Sequence, residues 1–388
     1  MPDISPRRKG SDHGSYTIGW LSATQTEYVA ARFFLDEKFE EPECLSANDS
    51  NNYTLGRIKN HNVVVAVLPD GEYGISAATA VLKDMVHSFP NIRCCLMVGT
   101  GGGAPSQKHD IRLGDVAVSA PRDGYGGVLQ YDFGKTIQDQ PFVQRGFLCP
   151  PPFFLRTAMT GLGTKYEGSG NEFEETINNI LRQNARLRET YRRPNPNTDK
   201  LYKSNVVHPP EDGRNCVAAC GDEPSKLIAR LEREEYEDNP AVHYGLIASA
   251  NRLMMDATIR DRLAAKHGVI CFEMEAAGLM NIFPCLIIRG IYNYSDSHKN
   301  DEWRGVEAER RVAEIPGILS SIEGNMNDIR ASFQHVSDHV GHLKTKLYST
   351  DTSRWLLPPA SPTPSPKVVQ QLPDDSNDWS LGLERSKS

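Results

Sequence analysis

Two glutamates at the end of an apolar run are the first residues of this chain that suggest chemistry. Glu273 and Glu275 stand two positions apart in VICFEMEAAG, and on a continuing strand that spacing places both side chains on the same face. Because a carboxylate has two acceptor oxygens, either glutamate could accept hydrogen bonds from both hydroxyls of a ribose. The plain alternative is an acidic helix N-terminus, which the helix dipole stabilises.

A cluster of polar side chains follows the apolar run CLIIRGIY. It comprises Asn293, Ser295, Asp296, Ser297 and His298. Side chains of these types can protonate a leaving group or hydrogen-bond to it. The same composition is also typical of an ordinary polar loop.

Consecutive glycines and an early glutamate add two further candidates. The segment VGTGGGAP, residues 98–105, is predicted to be a glycine-rich turn after a buried strand. Glycine lets the backbone approach a ligand and present its N–H groups to oxygen atoms, although the segment matches neither the dinucleotide-binding pattern nor the P-loop pattern. Glu27 lies early in a predicted helix, where the helix dipole alone can favour a carboxylate.

Alternating strands and helices must position these residues. Short apolar runs predict strands, and apolar residues that recur every three or four positions predict helices. The alternation predicts the α/β class, with a central mixed, mostly parallel sheet flanked by helices. In open sheets of this class, ligands bind at the carboxyl ends of the strands. The predicted strands are YTIGWLSA, two around a turn at residues 59–62, IRCCLMVG, DVAVSAP, HYGLIASA, VICFE and CLIIRGIYNY, and the predicted helices include TQTEYVAARFFLDE, GISAATAVLKDMVHSF, DATIRDRLAAKHG and AAGLMNIF.

Composition divides the chain into four parts. Residues 1–15 are predicted to be a flexible leader and residues 16–325 one large domain, within which the polar segment 166–213 is a variable insert. Residues 326–349 are predicted to form a helical extension. Residues 350–388 are rich in Ser, Pro and Asp, which predicts a disordered tail.

Net charge and apolar content restrict the class of protein. The chain has 388 residues and a net charge of -7, which argues against nucleic-acid and membrane-surface partners. No apolar run is long enough to cross a membrane, and the polar N-terminus lacks the apolar core of a secretory signal. We therefore expect a cytoplasmic protein.

The cysteines give a weak signal for a metal. Cys216 and Cys220 form a C-x3-C pair, but no second Cys or His pair follows at a spacing typical of zinc ligands. The sequence therefore predicts no metal site, and we expect no cofactor.

Six motifs in order resemble one family. SATQTE, VGTGGGAP, IRLGDVAVS, GLIASAN, CFEMEAAG and RGIYNYSD together resemble the nucleoside phosphorylase superfamily, and more closely the phosphorylase-like domains of fungal multidomain receptors. The resemblance covers residues 16–320. It implies a nucleoside phosphorylase-type fold, a purine nucleoside or nucleotide as the partner, cleavage of the N-glycosidic bond through an oxocarbenium-like transition state, and a homo-oligomer.

The resemblance also implies which residues hold the sugar. In methylthioadenosine nucleosidases a Met-Glu pair binds the ribose, and Met274 and Glu275 match that pair. Glu273 matches a neighbouring carboxylate near the sugar. Thr100 and Gly101 match the glycine-rich turn beside the sugar or the nucleophile.

Among the residues expected to contact the purine base, one differs from the residue that the family carries. Leu253 and Met254 match a segment that contacts the purine. The nucleosidases and many fungal relatives carry an aspartate that protonates purine N7, where this chain has Asn293. Three interpretations stay open: a changed preference for the base, a slow or inactive enzyme, or Asp296 as the acid.

The nucleophile separates a hydrolase from a phosphorylase. Glu27 matches the water-activating glutamate of the nucleosidases, and Met97 stands where hexameric phosphorylases carry a phosphate-binding arginine. A carboxylate base suits water and an arginine suits phosphate, although Arg57, Arg112 or Arg122 could still bind phosphate.

The resemblance thus implies a purine nucleosidase that releases the base and ribose or its 5′-substituted form. Three alternatives stay open: a nucleosidase directed at ATP that acts in defence, a phosphate-dependent phosphorylase, and a catalytically silent nucleotide-sensing module.

Overall fold

Short apolar strands alternate with helices along the chain, which the computed structural model describes for residues 12–42, 45–234, 237–298, 303 and 313–322. The predicted helical extension, the predicted tail and most of the predicted leader lie outside these residues. Within them, no helix is both long and apolar enough to cross a membrane.

The strands and helices largely follow the apolar pattern of the sequence. In chain order the strands are β1 (Ile18–Ser22), β2 (Glu37–Lys38), β3 (Tyr53–Ile58), β4 (His61–Val67), β5 (Cys94–Gly103), β6 (Val116–Ser119), β7 (Val128–Gln130), β8 (Gly134–Lys135), β9 (Val143–Gln144), β10 (Val242–Ser249), β11 (Val269–Glu273) and β12 (Cys285–Asn293). The helices are α1 (Gln25–Phe33), α2 (Ile75–Ser88), α3 (Phe153–Ser169), α4 (Phe173–Gln183), α5 (Arg188–Tyr191), α6 (Cys216–Cys220), α7 (Ala257–His267) and α8 (residues 313–322), with 3-10 turns at His13–Ser15, Pro196–Thr198 and Ala276–Gly278.

Local side chains fix where the helices begin and end. Thr24 and Glu27 form a capping box at the start of α1, in which each side chain bonds to the other residue's backbone N–H. The Asp256 side chain accepts a hydrogen bond from Ile259 N–H and so caps α7, which ends at Gly268 in the left-handed conformation (φ +70°).

The strands form a sheet that closes partly on itself. Its order is β11-β10-β6-β12-β5-β1-β4-β3-β2, with β7 beside β10. Because β11 also pairs with β5, the strands β5, β12, β6, β10 and β11 form a closed ring. The pairs β2–β3, β3–β4, β6–β12 and β5–β11 are antiparallel. The predicted mixed sheet is confirmed, but it is partly a closed barrel and not plainly parallel.

Helices cover both faces of the sheet. Along β5, Leu96 packs with the apolar residues of α1, α3, α4 and α8, and the next residue, Met97, packs with those of α2. This alternation follows from the two-residue period of a strand. Fully burying one such side chain contributes roughly 1.5–3 kcal/mol. The segment 166–213 takes part in this core, because Phe173 and Ile177 of α4 are buried in the same cluster as Leu96.

The glycines of VGTGGGAP lie in a strand, so the predicted glycine-rich turn is wrong. A Cβ atom at Gly99 would lie 1.9 Å from Arg289 Nη1, and one at Gly102 would lie 2.1 Å from Ser295 Oγ. Both distances are far below van der Waals contact. The glycines therefore let β5 continue between β11 and β12. The side chains of Arg289 in β12 and of Ser295 in the loop after it fill the space that a larger side chain on β5 would need.

The helix predicted for AAGLMNIF is also wrong. The segment forms the 3-10 turn Ala276–Gly278, and the helical pattern does not continue beyond it. A Cβ at Gly278 would lie 2.5 Å from the backbone oxygen of Ile75, so this turn packs directly against the start of α2.

Candidate active site

The predicted site residues meet around one cavity at the ends of β1, β5, β11 and β12. Asp296 does not line this cavity. The predicted residues that do are Glu27, Thr100, Gly101, Leu253, Met254, Glu273, Met274, Glu275 and Asn293.

Glu27 borders the cavity with a carboxylate that two elements hold in place. One oxygen accepts hydrogen bonds from the backbone N–H groups of Ala23 and Thr24 at 2.7 and 3.0 Å. The other accepts from the N–H of Thr100 at 2.8 Å and from its hydroxyl at 3.2 Å. The long bond from the hydroxyl is the one that a water molecule would most easily replace, and a carboxylate so placed can accept a proton from that water.

Two more carboxylates share one buried arginine. A terminal nitrogen of Arg289 bonds to Glu273 and lies 3.1 Å from an oxygen of Glu275. Glu273 also accepts from the backbone N–H groups of Glu275 and Ala276, each at 3.0 Å, and so holds the turn after β11. Glu275 accepts from the N–H of Gly74 at 3.1 Å. These contacts place both side chains at the cavity wall.

Burial raises the pKa of Glu275 to about 7. Removal of the ionised carboxylate from water is the main cause. Arg289 opposes the rise, while the negative charges of Glu273 and Glu27 add to it. Glu275 therefore changes its charge near neutral pH, a property that is common among functional groups.

Asn293 lines the cavity with an amide whose orientation is fixed by a backbone hydrogen bond. Its Oδ1 accepts from the backbone N–H of Ser295 at 2.9 Å. Because an N–H can only donate, this bond fixes the orientation of the amide and leaves its NH2 group for a ligand. Ser295 itself lines the cavity in a left-handed conformation (φ +54°), with a buried hydroxyl that has no partner among the described residues. Strained backbone of this kind is concentrated at functional sites.

Asp296 contacts α7 and its own loop. One of its oxygens accepts from the backbone N–H of His298 at 2.9 Å, and the other lies 3.5 Å from Arg260 Nη1. The side chain is almost completely buried. The structure therefore gives Asp296 partners outside the cavity wall.

Arg289 is the charged, buried cavity residue that the sequence did not identify, and Tyr73, Arg252, Phe272 and Tyr292 line the cavity without having been predicted as well. An arginine inside the apolar run CLIIRGIY was the available signal, because a buried charge is tolerated where it is paired. Arg57, Arg112 and Arg122 do not line the cavity, and each has its contacts elsewhere.

Comparisons with known proteins give one clear relative in sequence. No model of a known protein family matches the chain. A nucleotide-binding leucine-rich repeat (NLR)-like protein of Hyaloscypha variabilis is 42% identical over 320 residues, which make up 82% of this chain and 31% of that protein. The chain therefore spans about a third of the length of this relative.

Several solved structures show some similarity to the chain, among them two enzymes from bacteria. The futalosine hydrolase of Helicobacter pylori is 15% identical, with 81% of this chain and 100% of that chain covered and a TM-score of 0.49. The 5'-methylthioadenosine/S-adenosylhomocysteine nucleosidase of Neisseria meningitidis is 14% identical, with 79% and 99% covered and a TM-score of 0.48.

Proposed function

We propose that this chain is a purine nucleosidase that hydrolyses the N-glycosidic bond of a purine nucleoside or nucleotide. The products are the base and ribose or its 5′-substituted form. The observation that carries the proposal is that Glu27, Glu275 and Asn293 line one cavity. These are the groups that would activate water, hold the ribose and bind the leaving base.

The charge around the cavity suits the expected transition state. An oxocarbenium ion carries positive charge on the sugar, and fixed negative groups stabilise it where water is excluded. Glu27, Glu273 and Glu275 provide three carboxyl groups around the cavity, against one buried guanidinium, that of Arg289. In its ionised form Glu275 can accept hydrogen bonds from both ribose hydroxyls.

The same charges favour water over phosphate as the nucleophile. A phosphate would have to approach three carboxyl groups. Arg289 is already engaged by two of them, and the other cavity arginine, Arg252, is exposed to solvent. Water is neutral and can pass its proton to Glu27 as its oxygen bonds to the sugar carbon. The bond to the base breaks in the same reaction, and its electron pair leaves with the base. Solvent protonates the departing base, and Glu27 returns its proton to solvent.

Asn293 can assist this departure without giving up a proton. Its NH2 group can donate hydrogen bonds to the N7 nitrogen and the 6-oxo oxygen of a purine such as hypoxanthine or guanine. We therefore infer a preference for 6-oxo purines over adenine. A catalytically silent nucleotide-sensing module is the second candidate, because an amide replaces the acid expected at this position.

One assay separates these functions. Purified full-length chain is incubated with inosine, guanosine, adenosine and ATP, with and without phosphate, and the released base and the sugar product are measured. The proposal expects release of base from a 6-oxo nucleoside in phosphate-free buffer, with ribose as the second product. Strict dependence on phosphate with ribose 1-phosphate as the product would show a phosphorylase, and binding without release of base would show a silent module.

Release of base from ATP would support the ATP-directed alternative. That activity needs a cation for the phosphates, and the exposed side chain of Arg252 at the cavity could provide it.

A further inference from the structure

Two histidines and a cysteine from three separate segments meet beside the candidate active site. Cys220 Sγ lies 3.3 Å from His208 Nδ1 and 3.6 Å from His298 Nδ1. Cys220 ends α6, and His298 follows β12. Both are buried, and His208 is partly buried. Sequence spacing could not reveal this cluster, because its members are 12 to 90 positions apart.

Hydrogen bonds define which nitrogen of each imidazole faces the sulfur as an acceptor. His208 Nε2 lies 2.8 Å from the backbone oxygen of Asp212, and His298 Nε2 lies 3.0 Å from that of Val206. A carbonyl oxygen can only accept, so each Nε2 carries the proton in the neutral ring. Both Nδ1 lone pairs therefore face Cys220 Sγ. A single thiol proton can satisfy only one of them, whereas a cation can satisfy both.

Neighbouring groups hold the rings in this arrangement. Tyr202 stacks on His298 with 3.9 Å between the ring centroids and 13° between the planes. The hydroxyl of Tyr202 donates to the backbone oxygen of Gly221 at 2.9 Å, next to Cys220. Histidine ligands of metals typically donate their second N–H to a carbonyl or carboxylate that fixes the ring, and both histidines here do so.

We propose that Cys220, His208 and His298 bind a divalent transition-metal ion, with Zn²⁺ the best match. Typical Zn–S and Zn–N bonds in a tetrahedral site place the sulfur and a nitrogen about 3.6 Å apart, close to the separations of 3.6 and 3.3 Å in this cluster. Thiolate and imidazole are the ligands that Zn²⁺ favours. On binding, Cys220 loses its proton to solvent and the sulfur forms a bond to the metal.

With three protein ligands, a solvent molecule would take the fourth position of a tetrahedral ion. The cluster borders a second cavity, which is lined by His298, Cys216 and Asn293 among others, and this cavity gives the metal a path to the site. Since His298 is five positions after Asn293, the ion would fix the loop that follows the base-binding residue. Its role is to position this loop, and the reaction does not pass through it.

The test uses Co²⁺ and Zn²⁺ with the purified full-length chain after treatment with a chelator. Co²⁺ should bind in a one-to-one ratio and give a thiolate-to-cobalt charge-transfer band with the visible spectrum of a tetrahedral ion. Zn²⁺ should displace it and raise the melting temperature. Cys220→Ser should remove the charge-transfer band and weaken Zn²⁺ binding by at least about 100-fold, since even loss of an outer partner of a ligand typically costs 10- to 100-fold.

Cys216→Ser is the matched control, because it changes a thiol of the same short helix outside the cluster. It should keep the band and the affinity. Absence of the charge-transfer band in the wild type, or Zn²⁺ binding that Cys220→Ser leaves unchanged, would overturn the proposal. Both results are independent of nucleosidase activity, so they do not depend on the proposed function.

Discussion

Glu275 and Arg289 form a buried pair whose nearest atoms are 3.1 Å apart. The arginine does not hold the carboxylate fully ionised, because the same nitrogen also bonds to Glu273 and because both glutamates are buried. The pKa of Glu275 consequently rises to about 7. A group that is expected to hold the ribose as an anion is thus only partly ionised at neutral pH.

The rate of base release should therefore increase with pH around neutrality. A carboxyl group with a pKa of about 7 is about one-tenth ionised at pH 6 and nine-tenths ionised at pH 8, so kcat/KM should rise about tenfold over this range. Initial rates with inosine in a series of buffers from pH 6 to pH 8 measure this increase. Glu275→Gln should lower the rate by ~30- to 1000-fold and remove this pH dependence. A flat or falling profile in the wild type would remove Glu275 from this role.

Replacement of Glu27 tests the proposed base. Glu27→Gln should lower the rate in phosphate-free buffer by ~10²-fold or more, since general base catalysis typically contributes that much. The matched control is Glu314→Gln, which changes a buried carboxyl group that does not line the cavity and should keep the wild-type rate. A Glu27→Gln enzyme that is folded and nearly as active as the wild type would exclude Glu27 as the base.

The local pattern of the sequence was sufficient to predict most strands and helices, whereas about half of the residues that line the cavity were named, most of them only through the resemblance. Glu275 and Asn293 were identifiable because each stands at the end of an apolar run, where strands of an α/β sheet present their ligands. Glu27 was identifiable only through the resemblance, since a capping glutamate and a catalytic one look alike in a single sequence.

The features that could not be predicted depend on contacts between distant segments. The stretch at Gly99 and Gly102 looked like a turn, because nothing local shows that Arg289 and Ser295 fill the space beside it. The pairing of β11 with β5, which closes the sheet, could not be predicted either, because the two strands are far apart in the sequence. Cys220 looked like a cysteine without partners, because its two histidines come from other parts of the chain.

Glu314 should make stability depend on pH. It is completely buried. Among the described residues, the hydroxyls of Tyr166 and Tyr244 donate hydrogen bonds to it at 3.0 and 3.4 Å, and burial raises its pKa to about 7. A raised pKa means that its contribution to stability is full below about pH 4.5 and is lost as the pH rises through about 7. Glu314→Gln should therefore be more stable than the wild type at pH 8, by at most about 3 kcal/mol, with little advantage at pH 4.5.

Urea unfolding of both proteins at the two pH values measures this difference. The titration of Glu275 is common to both proteins and cancels in the comparison. An advantage of the variant that is equal at both pH values would show that Glu314 does not titrate in this range.

Asn293→Asp should shift the preference for the base. The aspartate keeps an acceptor for the N–H of Ser295, so the loop should stay in place, but an ionised carboxylate cannot donate to a 6-oxo oxygen. The ratio of kcat/KM for inosine to that for adenosine should fall by at least about tenfold, which corresponds to the loss of one ordinary hydrogen bond. An unchanged ratio, with an unchanged melting temperature, would show that Asn293 does not contact the base at this position.

The glycine at position 99 should be required for the buried arginine. In Gly99→Ala the new Cβ would lie 1.9 Å from Arg289 Nη1, so the guanidinium must move away from Glu273 and Glu275. Leaving buried carboxylates without their partner typically costs about 3–5 kcal/mol, and the same shift should lower the rate of base release.

Gly161→Ala is the matched control, because Gly161 lies in α3 with no atom within 4 Å of the added Cβ. It should be as active as the wild type and more stable by up to about 1 kcal/mol, since alanine is the better helix former. Thermal unfolding and initial rates of the two variants measure both effects, and equal behaviour of the two would show that Arg289 can leave its position without cost to the site.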